Sequence, residues 1–128
     1  SMALAADLRP GDRPVLLLSG GELTVTRTGN GVGGPNAEYG LALALALNGH
    51  PQVHAIACDT DGVDGAAEVA GAIIAPDTLT RASGAAEALA SNDAHSYFAR
   101  AGAQVVTGPT LTNVNDFRAI LILPPKVA

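Results

Sequence analysis

The run of residues 37–48 constrains the fold more than any other stretch of the chain. Leucines at positions 41, 43, 45 and 47 alternate with alanines, a spacing that by itself predicts a strand. Leu and Ala are strong helix formers, however, and the run contains no β-branched residue. Pro35 suits a first helical turn and Asn48-Gly49 suits a helix end. We therefore predict a helix that is buried on most of its sides.

Short apolar runs elsewhere predict strands. The runs 15–18 and 23–26 are expected to form a hairpin, because Gly20-Gly21 separates them. The sequences QVHAIACDT, AQVVTG and FRAILIL predict three further strands. Helices are expected over residues 66–74, from about 76–78, over 85–90 and over 93–101.

Helices and strands thus intermix along the chain, which predicts an α/β fold. We expect a single layered domain, residues 1–128, with a mixed β-sheet and packed helices. Ser1-Met2 is expected to be a cloning remnant, and residues 124–128 a frayed tail.

Charge and composition exclude several classes of protein. The net charge is −5 and the seven Lys and Arg residues are scattered, so we expect no nucleic-acid partner and no membrane partner. No run is apolar over the roughly 18 residues of a membrane span, and no signal peptide is recognised, which predicts a cytoplasmic protein. The single cysteine, Cys58, excludes an internal disulfide and is expected to pack in the core.

The stretch GNGVGGPNAE, residues 29–38, contains the spacing G-x-G-x-x-G at Gly29, Gly31 and Gly34. A strand before it and a helix behind it would suit a dinucleotide site, but the expected hairpin and the short chain do not. A Walker loop is excluded, because Gly34 is followed by Pro-Asn rather than by Lys-Ser/Thr. Two interpretations stay open: anion binding by backbone amides at a helix N-terminus, or a plain strand-to-helix turn.

Two further loops are rich in polar groups. DTDGVDG presents Asp59, Asp61 and Asp64, which could hold Mg²⁺ or could serve turns and helix caps. TGPTLTNVND, residues 107–116, offers hydroxyls and amides to a ligand or to its own backbone. In SNDAHSYF, we expect Ser91 or Asn92 to cap a helix, with His95 as a candidate general base.

Four segments, taken together, resemble the MOFRL domain found at the carboxy-terminal end of glycerate 2-kinases. They are LLSGGELTVT, GNGVGGPNAE, DTDGVDGAAEVAGAI and VTGPTLTNVNDFRAILI. Members are often labelled hydroxypyruvate reductases. Many relatives have an arginine where this chain has Pro35, which removes a charge that could face a phosphate.

The resemblance implies a fragment of a two-domain enzyme that phosphorylates D-glycerate with ATP and Mg²⁺ in the cleft between its domains. The partner would be an amino-terminal domain that carries the catalytic lysine, and the substrate a small hydroxy acid. Residues expected to bind substrate or phosphate are Gly31, Gly33, Gly34, Asn36, Glu38, Thr112, Asn113, Asn115 and Asp116. Residues expected near the metal are Asp61 and Asp64.

The chain taken alone has few cations, and phosphoryl transfer needs positive charge around the γ-phosphate. We therefore expect the isolated chain to be inactive. The sequence leaves two alternative functions open: an NAD(P)-binding domain of the hydroxypyruvate-reductase type, and a non-catalytic binding or assembly module. A homo-oligomer is a candidate assembly.

Overall fold

The computed structural model describes residues 1–22, 29–65 and 68–127. The strands are β1 (Val15–Gly21), β2 (Val53–Asp59), β3 (Gly71–Ile74), β4 (Gln104–Val105) and β5 (Asp116–Ile122). The helices are α1 (Met2–Asp7), α2 (Pro35–Leu47), α3 (Thr78–Arg81), α4 (Ala85–Ala90) and α5 (Ala94–Ala101). None of the helices within these ranges is long and apolar enough to cross a bilayer.

The strands form one five-stranded sheet in the order β1-β5-β2-β3-β4, with helices packed on it. The α/β class is thereby confirmed. The four strand pairings are all antiparallel in the described ranges, whereas we expected both directions. A short connection suffices between antiparallel neighbours such as β2 and β3, while parallel neighbours need a crossover.

Helix α2 confirms the interpretation of the leucine–alanine run. Pro35 stands in its first turn, and Asn48 closes it in the left-handed conformation at φ 47°. Only Ala42 and Ala46 are exposed among its residues, because β2 and β3 lie on one side and α4 and α5 on another. Small alanines permit this close packing.

Two expectations about β-structure need correction. Residues 71–74 form strand β3 rather than the end of a helix, since pairing with β2 outweighs the local helical preference. Gly71 permits that pairing, because a Cβ there would overlap the backbone of Ala57. Strand β1 runs through Gly20 and Gly21 instead of ending before them, and the expected partner run 23–26 lies outside the described residues.

The three short helices lie close to the positions that the sequence predicts. The short helices at 78–81, 85–90 and 94–101 are confirmed, and Gly102 ends the last one at φ 67°. Tyr97 and Phe98 of α5 are fully buried and join Leu41 of α2 and Ile74 of β3 in the core. Helix α1 was not predicted from the sequence.

Cys58 is buried, as expected. Burial raises the pKa of its thiol from 9.0 to about 11, and the nearby Asp64 carboxylate contributes to the shift. A thiol with this pKa is almost entirely protonated near neutral pH and is a poor nucleophile.

We predict that iodoacetamide alkylates Cys58 at about pH 8 roughly 100-fold more slowly in the native chain than in the urea-unfolded chain, because that is the ratio of thiolate fractions. The native rate should rise about tenfold per pH unit up to about pH 10, since the pKa lies above that range. Mass spectrometry of timed samples measures both rates. Equal rates in the two states would contradict this picture of the core.

Candidate functional site

Three of the four polar segments meet at one end of the sheet. The strand register places Gly21 of β1 opposite Asp116 of β5, and Asp116 opposite Asp59 of β2. Three segments therefore lie side by side: residues 19–22, the acidic loop (residues 59–64) and the end of the threonine–asparagine loop (residues 107–116). We call this end of the sheet, with the loops 59–64 and 107–116, the rim.

A buried carboxylate joins the glycine loop to the rim. Asp64 is fully buried, and its carboxylate accepts three hydrogen bonds. The backbone amides of Asn36 and Ala37 donate at 2.9 and 2.8 Å, and the Asn36 side-chain amide at 3.2 Å. His95 Nε2 hydrogen-bonds to the backbone carbonyl of Asp64 at 3.1 Å, and it also lies 3.1 Å from Asp64 Oδ2. Asp64 thus caps the N-terminus of α2, where the helix dipole favours negative charge.

The polar chain continues from Asn36 to the sheet. Its side-chain amide donates to Asp116 Oδ1 at 2.7 Å, and Arg118 Nη1 lies 3.8 Å from Asp116 Oδ2. Arg118 also donates to Ser19 Oγ at 3.1 Å and to the Gly20 carbonyl at 2.6 Å. One connected set of buried side chains therefore joins α2, the acidic loop, β5 and β1.

The glycine loop lies against the turn between α4 and α5. Gly29 and Val32 donate to the side chains of Asn92 and Asp93 at 2.7 and 2.8 Å, and Gly31 donates to the Ser91 carbonyl at 2.9 Å. A Cβ at Gly31 would overlap Asp93. The glycines thus bring the loop close to the chain's own turn.

Two further residues of this region are Glu38 of α2 and Gly33 of the glycine loop. Glu38 accepts a hydrogen bond from the Asn92 side chain, and this bond ties α2 to the turn that holds the glycine loop. The amide of Gly33 donates no hydrogen bond to an acceptor among the residues that the structure describes.

The threonine–asparagine loop packs on the acidic loop. Thr60 donates from its amide and its hydroxyl to the Asn115 carbonyl at 3.0 and 2.7 Å, and the Thr110 amide donates to the Asp61 carbonyl at 3.2 Å. Thr112 and Asn113 remain exposed. With Asp61, Pro109 and Leu111 they line an open depression of about 370 Å³.

Carboxylates crowd the rim beside this depression. Partial burial raises the pKa of Asp59, and the neighbouring Asp61 and Asp116 raise it further. Asp61 accepts the Val63 amide at 2.8 Å, as an Asx-turn residue does. Within the described ranges, no group of three or more His, Cys, Asp and Glu side chains is placed to hold a metal.

Apart from Gly31, Gly33, Gly34 and Glu38, the predicted site residues fall into two groups. Asn36, Asp64 and Asp116 are buried structural partners, and Asp64 has its oxygens occupied by α2 rather than facing a cleft. The exposed group at the rim is Thr112, Asn113 and Asn115, beside the half-buried Asp61.

Sequence reasoning missed the role of the turn 91–93. We expected Ser91 or Asn92 to cap α5, but the residue before that helix is Asp93, and no side chain caps it. Asn92 and Asp93 instead hold the glycine loop. Three consecutive polar residues exceed what one cap needs, and that surplus was the available signal. His95, a candidate base, is buried against Asp64.

Comparisons with known proteins agree on one family. The MOFRL family model matches residues 15–116. The chain belongs to the MOFRL family. It is 50% identical over 115 residues to a putative hydroxypyruvate reductase of Agrobacterium vitis, covering 85% of this chain and 26% of the relative. It is 40% identical over 119 residues to the D-glycerate 2-kinase of Thermotoga maritima, covering 90% and 28%.

The solved structures support the same conclusion. A crystal structure of glycerate kinase from Thermotoga maritima superimposes with a TM-score of 0.84 at 39% identity, covering 90% of this chain and 29% of that one. The MOFRL chain therefore spans less than a third of the relatives it matches, and these relatives contain a further domain.

We predict that Asp64→Asn lowers the free energy of unfolding by about 2–4 kcal/mol, because an amide NH₂ would face buried donors at the α2 terminus. Urea denaturation at neutral pH measures the change. The control is Asp61→Asn at the half-buried rim, which should cost less than about 1 kcal/mol. A similar small cost for both variants would contradict the capping role of Asp64.

Proposed function

We propose that this MOFRL chain is the carboxy-terminal domain of an ATP-dependent glycerate 2-kinase and forms one wall of an active site between two domains. D-glycerate is the proposed substrate, phosphorylated at its 2-hydroxyl. The observation that carries the proposal is the meeting of the family's polar segments at one rim, beside an open depression.

The exposed groups of the depression suit a small polyol acid. The Thr112 hydroxyl and the Asn113 side-chain amide nitrogen have no partner among the residues that the structure describes. A hydroxyl both donates and accepts, and an amide nitrogen donates to a carboxylate or a hydroxyl. These are the contacts that glycerate needs for orientation, and Asn115 lies on the same rim.

The rim carboxylates suit a metal ion that is held partly by the protein and partly by substrate phosphates. Mg²⁺ is commonly held by one or two carboxylates together with substrate phosphates, and the neighbouring Asp59 and Asp61 fit that requirement. When bound, the cation would offset phosphate charge. Asp64 is not assigned to it, because the amides of α2 and the Asn36 side chain occupy its oxygens.

Positive charge at the rim is scarce. Arg118 lies beside it, but the guanidinium is buried and donates to Ser19 and Gly20. Phosphoryl transfer therefore needs a cation from outside these residues, and we assign that role to a lysine of the amino-terminal domain. The isolated chain orients substrate without catalysis.

A reductase is the alternative favoured by the name of the Agrobacterium vitis relative. A dinucleotide would need the glycine loop to admit its pyrophosphate. The amides of Gly29 and Gly31 instead donate to Asn92 and Ser91, and Asp64 occupies the helix terminus. The local geometry therefore favours the kinase.

The test is a chimera in which residues 15–122 replace the matching segment of the Thermotoga maritima enzyme. We expect ADP release with D-glycerate, ATP and Mg²⁺ at about 1 s⁻¹ or faster from the chimera, and negligible release from the isolated chain. Asn113→Ala and Thr112→Ala in the chimera should each raise the KM for D-glycerate about tenfold, since each removes a polar contact to substrate.

The matched control is Thr80→Ala on α3, which removes the same hydroxyl away from the rim and should leave the KM within about twofold. An unchanged KM in both rim variants would contradict the proposed wall. NADPH oxidation by the chimera with hydroxypyruvate, in place of ADP release, would favour the reductase.

A further inference from the structure

Within residues 1–22, 29–65 and 68–127, the sheet has one face that the helices do not cover. Alternate residues of β2, β3 and β5 such as Val53, Ile74 and Ile122 face the helices and are buried. The residues between them point to the opposite face. There Leu16 is 56% exposed, Leu18 63% and Phe117 42%.

This bare face is continuous across the strands. The register sets Leu16 opposite Leu121, and sets Ala119 opposite Leu18 on one side and Ile56 on the other. Ile73 of β3 extends the row beyond Ile56 and is 47% exposed. We define the bare sheet face by Leu16, Leu18, Ile56, Ile73, Phe117 and Leu121.

The bare sheet face is apolar and uncharged, as contact surfaces between domains commonly are. Its positions in β1, β2, β3 and β5 carry no Asp, Glu, Lys or Arg. A shallow depression of about 240 Å³ lies between Leu16, Ile56 and Leu121. Apolar patches of this continuity on soluble domains mark contact surfaces, because water disfavours their exposure.

We propose that the bare sheet face docks the further domain carried by the longer MOFRL relatives. More than two thirds of those chains lie outside the segment that matches this one, so a large partner surface exists within the same polypeptide. A second copy of this chain fits less well, since stacking two copies brings together net charges of −5 each.

The position of the bare sheet face also supports docking of the further domain. Phe117 directly follows Asp116, and Gly20 directly precedes Gly21, so the bare sheet face ends at the rim. A domain seated on it would border the depression of Asp61, Thr112 and Asn113. The inference rests on the proposed function for the meaning of that neighbourhood, but its test measures docking alone.

The test mixes the purified chain with the rest of the Thermotoga maritima enzyme, produced without the segment that matches residues 15–122 and checked for folding by circular dichroism. Calorimetry measures the Kd, and sedimentation measures the size of the chain alone. We expect a monomeric chain that binds, and at least about tenfold weaker binding by Leu18→Glu, because a carboxylate would be buried against apolar surface.

The control is Val127→Glu in the tail, where Val127 is 78% exposed and lies outside the bare sheet face. It should bind as the native chain does. Circular dichroism and melting of each variant should match the native chain, since both positions are exposed.

Three results would overturn the proposal: native-strength binding by Leu18→Glu, no binding by the folded native chain, or a native dimer that Leu18→Glu dissociates. The last would assign the face to a second copy. Binding that Leu18→Glu weakens, with a chimera that releases no ADP, would keep the docking surface and reject the kinase.

Discussion

The arrangement of the rim depends on the buried carboxylate of Asp64. Its two oxygens accept hydrogen bonds from the first free amides of α2 and from the Asn36 side chain, and His95 lies beside them. A buried charge is tolerated only when hydrogen bonds replace its water, and here a helix terminus supplies them. From this point Asn36 reaches Asp116, so one interaction sets the position of the glycine loop relative to the sheet.

This arrangement changes the meaning of the glycine loop. Its spacing resembles a phosphate cradle, but the place that a phosphate would take at the helix terminus holds Asp64, and the turn at Ser91, Asn92 and Asp93 takes the amides of Gly29, Gly31 and Val32. The glycines allow one backbone to approach another. The rim then offers a ligand mainly hydroxyls and amides, which fits substrate orientation with positive charge supplied by a further domain.

The features that the sequence predicted best are those that depend on local interactions. Helix α2 follows from propensity, Pro35 and Asn48, and the polar segments of the rim follow from their composition. Strand β3 was predicted as a helix because its pairing with β2 is a tertiary effect that no local pattern shows. The inward orientation of Asp64 was not predicted for the same reason. Three aspartates in one loop are equivalent by sequence, and only the tertiary contact with α2 distinguishes Asp64.

The most direct measurement of the central claim is amide hydrogen exchange of the native chain, resolved by residue. We expect the amides of Gly31, Val32, Asn36 and Ala37 to exchange at least about 100-fold more slowly than in an unstructured peptide, because Ser91, Asp93 and Asp64 hold them. Exchange of these amides at unstructured rates, with α2 itself protected, would mean that the loop and helix terminus are open and would contradict the account.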